Sequence, residues 1–213
     1  MLRIFGRKTS SNVQTVMWAV GELGLEHERI DVGGPFGGTD TAEFRAMNPN
    51  GLVPVIEDDG LVVFESNAIT RYLAARHGAA SGLWSDDPRV NAIGDMWMEW
   101  AKTTVYPVLI PGIFITLVRT PSKDRDPVRF EAQRKQLAAV MAIADGQLEK
   151  HGFLAGDALS VADFTFGTLL YRYFTLEFER ADLPALRAYY DRLVARPAYR
   201  EHAMIDYAFM KVE

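Results

Sequence analysis

Three short polar stretches, each beside an apolar run, carry the side chains with which this chain could do chemistry. Thr9-Ser10-Ser11-Asn12 stands between an apolar run over residues 2–5 and a helical pattern over 13–23. Ser, Thr and Asn are favoured at helix N-caps because a side-chain oxygen accepts an orphan backbone N–H, so capping is one reading. The other is an anion site, where hydroxyl and amide donors join the partial positive charge of a helix start to stabilise a group such as a thiolate. Val53-Pro54 opens a strand pattern, where proline removes a ladder donor. A cis Val53-Pro54 bond in a tight turn would free the backbone of Val53 for a peptide-like ligand, whereas a trans proline would simply begin an edge strand. Glu65-Ser66-Asn67 precedes a second helical pattern. There Ser66 is a cap or the receiver of a carboxylate, and Glu65 a solvated charge or the receiver of an ammonium, so the pair matches an α-amino acid head group.

These stretches need elements to hold them. Residues 2–5 read as a strand, and Val13, Val16, Met17, Val20 and Leu23 share one face of a helix that Gly24 ends. Residues 27–32 read as a strand, 41–47 as a short helix, and 53–57 and 61–64 as strands joined by Asp58-Asp59-Gly60. A helix over 66–77 completes the order βαβαββα, a small mixed α/β layer. Position supports the anion site, because ligands in such layers bind beyond the carboxyl ends of parallel strands. Residues 79–88 have the composition of a linker, dividing the chain into 1–78 and an all-helical 89–213. Helices are expected at 89–106, 128–150, 160–178, 183–195 and near 198–204, with Pro107 and Pro111 kinking or ending the first and an exposed connection over 120–127. Ser160-Val161-Ala162-Asp163 has the spacing of a capping box.

Composition removes whole classes of function. The 213 residues are 48% apolar and 24% charged, a globular balance. A net charge of −5 without a Lys/Arg cluster argues against nucleic acid. The chain has no cysteine, which excludes disulfides, thiolate metal sites and a protein thiol nucleophile. Its four histidines, His27, His77, His151 and His202, lack metal-ligand spacing, so no metal is expected. No stretch approaches the roughly 18 apolar residues of a bilayer span, and residues 1–6 are too short for a signal core, so the expectation is a cytoplasmic protein without a membrane partner.

The βαβαββα half followed by a helical half, with Ser10-Ser11-Asn12 after the first strand, Val53-Pro54 and Glu65-Ser66, resembles the cytosolic glutathione transferases over essentially the whole chain. Within them it looks most like bacterial members with a Ser/Asn pair, of the nu-like or theta-like kind. The resemblance implies a thioredoxin-like first half that binds glutathione as co-substrate, a second half with the second-substrate site, and a homodimer. It makes Ser10 and Asn12 the thiolate-activating pair, Val53 and Pro54 the cis-proline turn, and Glu65 and Ser66 the γ-glutamyl contacts. It implies conjugation to an electrophilic small molecule, with glutathione-dependent disulfide reduction of the nu-like type or a non-catalytic interaction module as alternatives. Leu52 stands where many relatives carry a polar residue, which leaves the glycyl carboxylate unassigned; the loop Gly33-Gly34-Pro35-Phe36-Gly37-Gly38 is a candidate or merely a turn. Trp100 and Tyr106 are candidate walls of the second-substrate pocket, among aromatics that also include Trp97, Phe114 and Tyr171; helical spacing equally suits a core. Glu99 is a candidate for reaching the glutathione of a partner subunit.

Overall fold

The computed structural model describes residues 1–212. Its first layer is a four-stranded sheet in the order β2-β1-β3-β4, built from β1 (Leu2–Phe5), β2 (His27–Ile30), β3 (Val55–Asp58) and β4 (Leu61–Phe64). β1 runs parallel to β2 and antiparallel to β3, which pairs antiparallel with β4. Alternation along the strands loads both faces. Ile4 and Ile56 point to one face, where they pack with Val13, Val16, Met17 and Val20 of α1 (Ser11–Leu23) and Ile69 and Leu73 of α3 (Ser66–His77). Phe5 and Val55 point to the other, against Phe44 of α2 (Ala42–Met47).

The rest is helical: α4 (Pro88–Trp100), α5 (Pro127–Leu148), α6 (Val161–Thr175), α7 (Pro184–Val194) and α8 (Pro197–His202). Each of these but α6 has a proline in its first turn, where the missing N–H has no partner to lose. Pro107 and Pro111 do not end the helix expected over 89–106. The chain continues from α4 through wide π-type turns over Ala101–Val105 and Val108–Arg119, with a bend of 42° between Pro88–Val105 and Val108–Arg119. Wider turns relieve the clash of a proline ring with the preceding turn, so the prolines kink the element and let it go on. Among the described residues no single helix is long and apolar enough to cross a membrane.

Trp18 of α1 joins the two layers. Its ring meets Phe164 and Tyr199 edge-on, both at 4.8 Å, and lies over Gly167, where an added Cβ would stand 2.7 Å from it. The indole N–H donates to Glu22, which in turn takes a two-pronged ion pair from Arg196.

The capping box at the start of α6 forms, and its acid does more than cap. Asp163 accepts from the backbone N–H groups of Ser160 (2.9 Å) and Leu154 (3.1 Å) and from the Tyr189 hydroxyl (2.8 Å), with no exposure to solvent. Burial pushes its carboxyl up to about 6 against these donors. Between about pH 4 and 6 the folded chain keeps a proton that the unfolded chain has released. The stabilisation from that proton is therefore present below pH 4 and is lost, to the extent of about 3 kcal/mol, as pH rises to 6. Asp163→Ala leaves three donors stranded and is expected to cost about 3–5 kcal/mol at pH 7, more than a cap alone, and more still at pH 4.5. Urea unfolding of parent and variant at both pH values measures this; a difference below 1 kcal/mol, or one that does not vary with pH, refutes the network.

Candidate active site

The turn from β1 into α1 is pinned from two directions. The Ser10 N–H donates to the Arg7 carbonyl (3.1 Å), the Gln14 side-chain amide donates to the Lys8 carbonyl (2.9 Å), and Arg172 of α6 donates to the Thr9 carbonyl (3.3 Å) and to Gln14 (2.9 Å). Arg172 is 3% exposed, and burial pulls its guanidinium down to about 10, which leaves it charged at neutrality. Ser10 stands at the N-cap of α1 with extended backbone, yet its side chain makes no capping bond. Of the two readings of this hydroxyl, capping is therefore not met: a backbone bond and the side chains of Gln14 and Arg172 hold the turn in its place, and the Ser10 hydroxyl makes no hydrogen bond among the described residues.

Asn12, one residue inside α1, has its Oδ1 fixed by the Lys102 ammonium at 2.8 Å. That bond turns the amide so that its two N–H donors are the free edge. Lys102 lies in the π-type stretch four residues before Tyr106, with its Nζ 5.0 Å from the centre of that ring. Burial lowers the Lys102 pKa, against the opposing fields of Glu65 and Glu99.

Asn12, Asn48, Leu52, Val53, Pro54, Glu65 and Ser66 line one cleft. The Val53-Pro54 bond is cis. Asn48 builds the approach to it: its amide donates to the Leu52 carbonyl (2.7 Å) and its oxygen accepts the Asn50 N–H (3.1 Å). Gly51, at φ 63°, fits beneath because an added Cβ would stand 2.9 Å from the Thr39 carbonyl oxygen. The N–H and carbonyl of Val53 take no partner among the described residues.

Glu65 joins β4 to α3 at φ 71° and ψ 118°, a conformation that costs a non-glycine residue about 1–3 kcal/mol. Ser66 follows, 2% exposed, and its hydroxyl has no hydrogen-bond partner. A buried unpaired hydroxyl at the first turn of a helix, on the wall of a cleft, is a candidate binding group. Asn67 ties this corner to the helical half, donating to Glu99 (3.2 Å) and accepting from Thr165 (2.7 Å). Glu99 also takes Arg71 at 2.8 Å; burial raises its carboxyl, but these two donors outweigh burial and hold it below its ordinary value.

Five of the residues singled out in the sequence, Asn12, Val53, Pro54, Glu65 and Ser66, thus share the cleft, and Ser10 stands two residues before Asn12. Tyr106 faces this region through Lys102. Trp100 packs on Trp97 at 5.2 Å and Phe166 at 5.6 Å, contacts of a core residue. Phe114 packs on Tyr207, and Tyr171 lines a separate cavity of about 430 Å³ with Leu117 and Tyr207, which shares no residue with the cleft. The glycine loop spends the N–H groups of Gly33 and Gly37 on its own carbonyls. Lys102, Gln14 and Arg172 escaped the sequence reading. The available signal was a lone cation or amide set in each of three apolar helical runs.

The family description "Glutathione S-transferase, N-terminal domain" matches residues 9–76, and "Glutathione S-transferase, C-terminal domain" matches residues 105–197. The chain is 40% identical over 207 residues to glutathione S-transferase GstB of Escherichia coli K12, covering 96% of this chain and 99% of that one. It is similar to the solved theta class glutathione S-transferase of Xanthomonas axonopodis pv. citri with glutathione bound, at a TM-score of 0.90 and 41% identity over 96% of this chain and 98% of the other. Glutathione S-transferase 3 of Zea mays is 29% identical over 208 residues, covering 94% of this chain and 92% of the relative. The thioredoxin-like first layer, the helical second layer and these matches together show that the chain belongs to the glutathione S-transferase family.

Proposed function

We propose that this chain conjugates glutathione to electrophilic small molecules, with the glutathione site in residues 1–78, the second-substrate side in 89–213 and 79–88 as the linker. The observation that carries the reading is the unpartnered Ser66 hydroxyl, buried at the start of α3 beside Glu65. Ser66 and the first N–H groups of α3 receive the α-carboxylate of the γ-glutamyl residue, and the Glu65 carboxylate receives its ammonium. The unpaired N–H and carbonyl of Val53 hold the peptide backbone of the cysteinyl residue. Glutathione supplies a thiol with a pKa near 8.5 in water. Ser10 donates its hydroxyl hydrogen to the thiolate form, Asn12 donates an amide hydrogen from the edge that Lys102 leaves free, and the start of α1 adds its partial charge. At about 0.5–1.5 kcal/mol for each neutral donor, the pair lowers the thiol pKa by one to two units, which populates the nucleophile at neutral pH.

The location we infer is cytoplasmic and the assembly a homodimer. Support for the dimer is an exposed apolar stripe, Val90, Ile93 and Met96 on α4, together with Leu61 and Val62 on the edge strand β4. A second copy would cover both.

Three measurements test this reading. Glu65→Ala is expected to weaken glutathione binding by about 1.5–3 kcal/mol, the range for hydrogen bonds to charged groups, and calorimetry checks it; a loss under 0.5 kcal/mol removes Glu65 from the site. Ultraviolet thiolate absorbance against pH should show the bound thiol pKa rising by up to about one unit in Ser10→Ala and in Asn12→Ala, and also in Lys102→Met, which frees Asn12 to rotate. An unchanged titration in all three leaves the helix start as sole activator and refutes the assignment. Ile93→Glu should convert a dimer to a monomer by sedimentation; a parent that is already monomeric refutes the dimer.

A further inference from the structure

Among the described residues Arg172 is the one arginine shut away from solvent, and it gives its donors to neutral acceptors rather than to a carboxylate. Burying a guanidinium without an ion pair costs stability, and an apolar residue in place of a buried charge is often neutral or better. What this costly side chain holds is the segment before α1. The Thr9 carbonyl that accepts from its Nη2 at 3.3 Å belongs to the same planar peptide unit as the Ser10 N–H, which donates to the Arg7 carbonyl at 3.1 Å, so that plane is clamped at both ends. A guanidinium can only donate. Its Nη1, 2.9 Å from Gln14, therefore draws the Gln14 side-chain oxygen towards itself and leaves the amide hydrogens for the Lys8 carbonyl. The Gln14 backbone N–H donates to the Ser10 carbonyl at 2.9 Å. All four carbonyls from Arg7 to Ser10 thus have a donor, and two of these bonds depend on Arg172. Phe114 and Tyr207 put their ring centres 5.3 and 6.0 Å from its central carbon, so aromatic packing holds it as well.

We propose that Arg172 is a positioning residue for thiol activation: by fixing the peptide unit between Thr9 and Ser10 it withholds the Ser10 hydroxyl from helix capping and presents it to the sulfur of glutathione. The inference rests on the glutathione reading above and adds to it a residue from the other half of the chain. Ser10 has the extended backbone of an N-cap, φ −77° and ψ 124°, from which a serine hydroxyl normally turns back to the N–H groups of its own helix. It makes no such bond here. The peptide units on both sides of Ser10 are held, one by Arg172 and the Arg7 carbonyl, the other by Gln14, so the hydroxyl keeps a fixed origin. Thiolate stabilisation needs that fixed origin, because a hydrogen bond weakens steeply with distance and angle, and a displacement of about 1 Å can cost on the order of a hundredfold in rate. Because Arg172 stands on α6, the helical half takes part in activating a thiol bound by the sheet half.

The test is the ultraviolet thiolate absorbance of bound glutathione against pH in Arg172→Gln, in Ser10→Ala and in the double variant. Arg172→Gln should raise the bound-thiol pKa by about 0.5–1 unit, close to the rise in Ser10→Ala. The double variant should shift no further than Ser10→Ala alone, because Arg172 acts through Ser10. Turnover at neutral pH should fall in kcat, with the KM for glutathione within about twofold of the parent, since the contacts at Glu65 and Ser66 are untouched. Arg172→Lys keeps the charge but lacks the planar fork that reaches Gln14 and Thr9 together, so it should shift the pKa as Arg172→Gln does. Gln14→Leu removes the acceptor of Nη1 and the donor to Lys8 with Arg172 in place; it should give the same rise, and it decides the matter where Arg172→Gln does not fold. An unchanged pKa in Arg172→Gln overturns the proposal, as does a double variant whose shift is the sum of the two single ones. A parent-like pKa in Arg172→Lys assigns the effect to charge alone and overturns it too. The two levels separate at Ser10: no shift in Ser10→Ala defeats the activation reading and this inference with it, whereas a shift there without one in Arg172→Gln defeats only the positioning role.

Discussion

The buried guanidinium of Arg172 ties the turn between β1 and α1 to the helical layer. Arg172 leaves water for the interior of α6, where it lies 5.3 Å from the centre of the Phe114 ring and gives its donors to Gln14 and the Thr9 carbonyl. Desolvating such a charge costs several kcal/mol, and the hydrogen bonds offset that only while their geometry is kept. The turn from Arg7 to Ser10 belongs to the sheet layer, whereas Arg172 belongs to the helical layer. Any slip between the layers would strand the guanidinium, so the cost of its burial becomes stiffness in the segment that carries Ser10. Trp18 over Gly167 resists the same slip by shape.

The site follows the same logic on a smaller scale. Asn12 could rotate its amide freely, but Lys102 at 2.8 Å selects the orientation that leaves N–H groups as the free edge. Lys102 in turn comes from the helical layer, so two of the side chains that fix the β1–α1 region, Arg172 and Lys102, are contributed by the other half of the chain. The sheet layer supplies the residues of the cleft, and the helical layer fixes Asn12 and the turn before it. A first layer folding alone would present Ser10, Asn12, Glu65 and Ser66 without the contacts that aim them.

Much of this was legible in the sequence, for reasons that are local. A short apolar run placed β1 at Leu2–Phe5, Gly24 ended α1, and Ser160 with Asp163 marked the start of α6. Val53-Pro54 was conspicuous because proline removes a ladder donor at a strand start, and Glu65-Ser66 because the pair at a helix start matches an α-amino acid head group. What escaped was the non-local part. The bond from Lys102 to Asn12 spans ninety positions and that from Arg172 to Gln14 spans 158, and neither has a periodic signature. Of the two outcomes open at Pro107 and Pro111, kinking is the one that occurs: the rule that proline stops a helix assumes α geometry, and the wider turn used here escapes the clash behind the rule.

Satisfaction of buried polar groups separates the architecture from the site. Asp163 is as buried as any residue in the chain, and both its oxygens are taken by donors, which makes it a joint between α6, α7 and the loop at Leu154. Among the described residues three buried side-chain atoms lack a partner: the Ser66 hydroxyl, the Trp97 indole N–H and the Thr168 hydroxyl. Of these only Ser66 opens onto the cleft, and it directly follows Glu65, a residue held in an unfavourable backbone conformation. An unmet hydrogen bond costs about 1–3 kcal/mol and the strained residue a similar amount, and both fall at one junction of two elements. A fold that satisfies Asp163 so fully has the means to satisfy Ser66. That it leaves this hydroxyl open, beside the Glu65 carboxylate, sets the corner apart from the architecture and is the ground on which binding is proposed there.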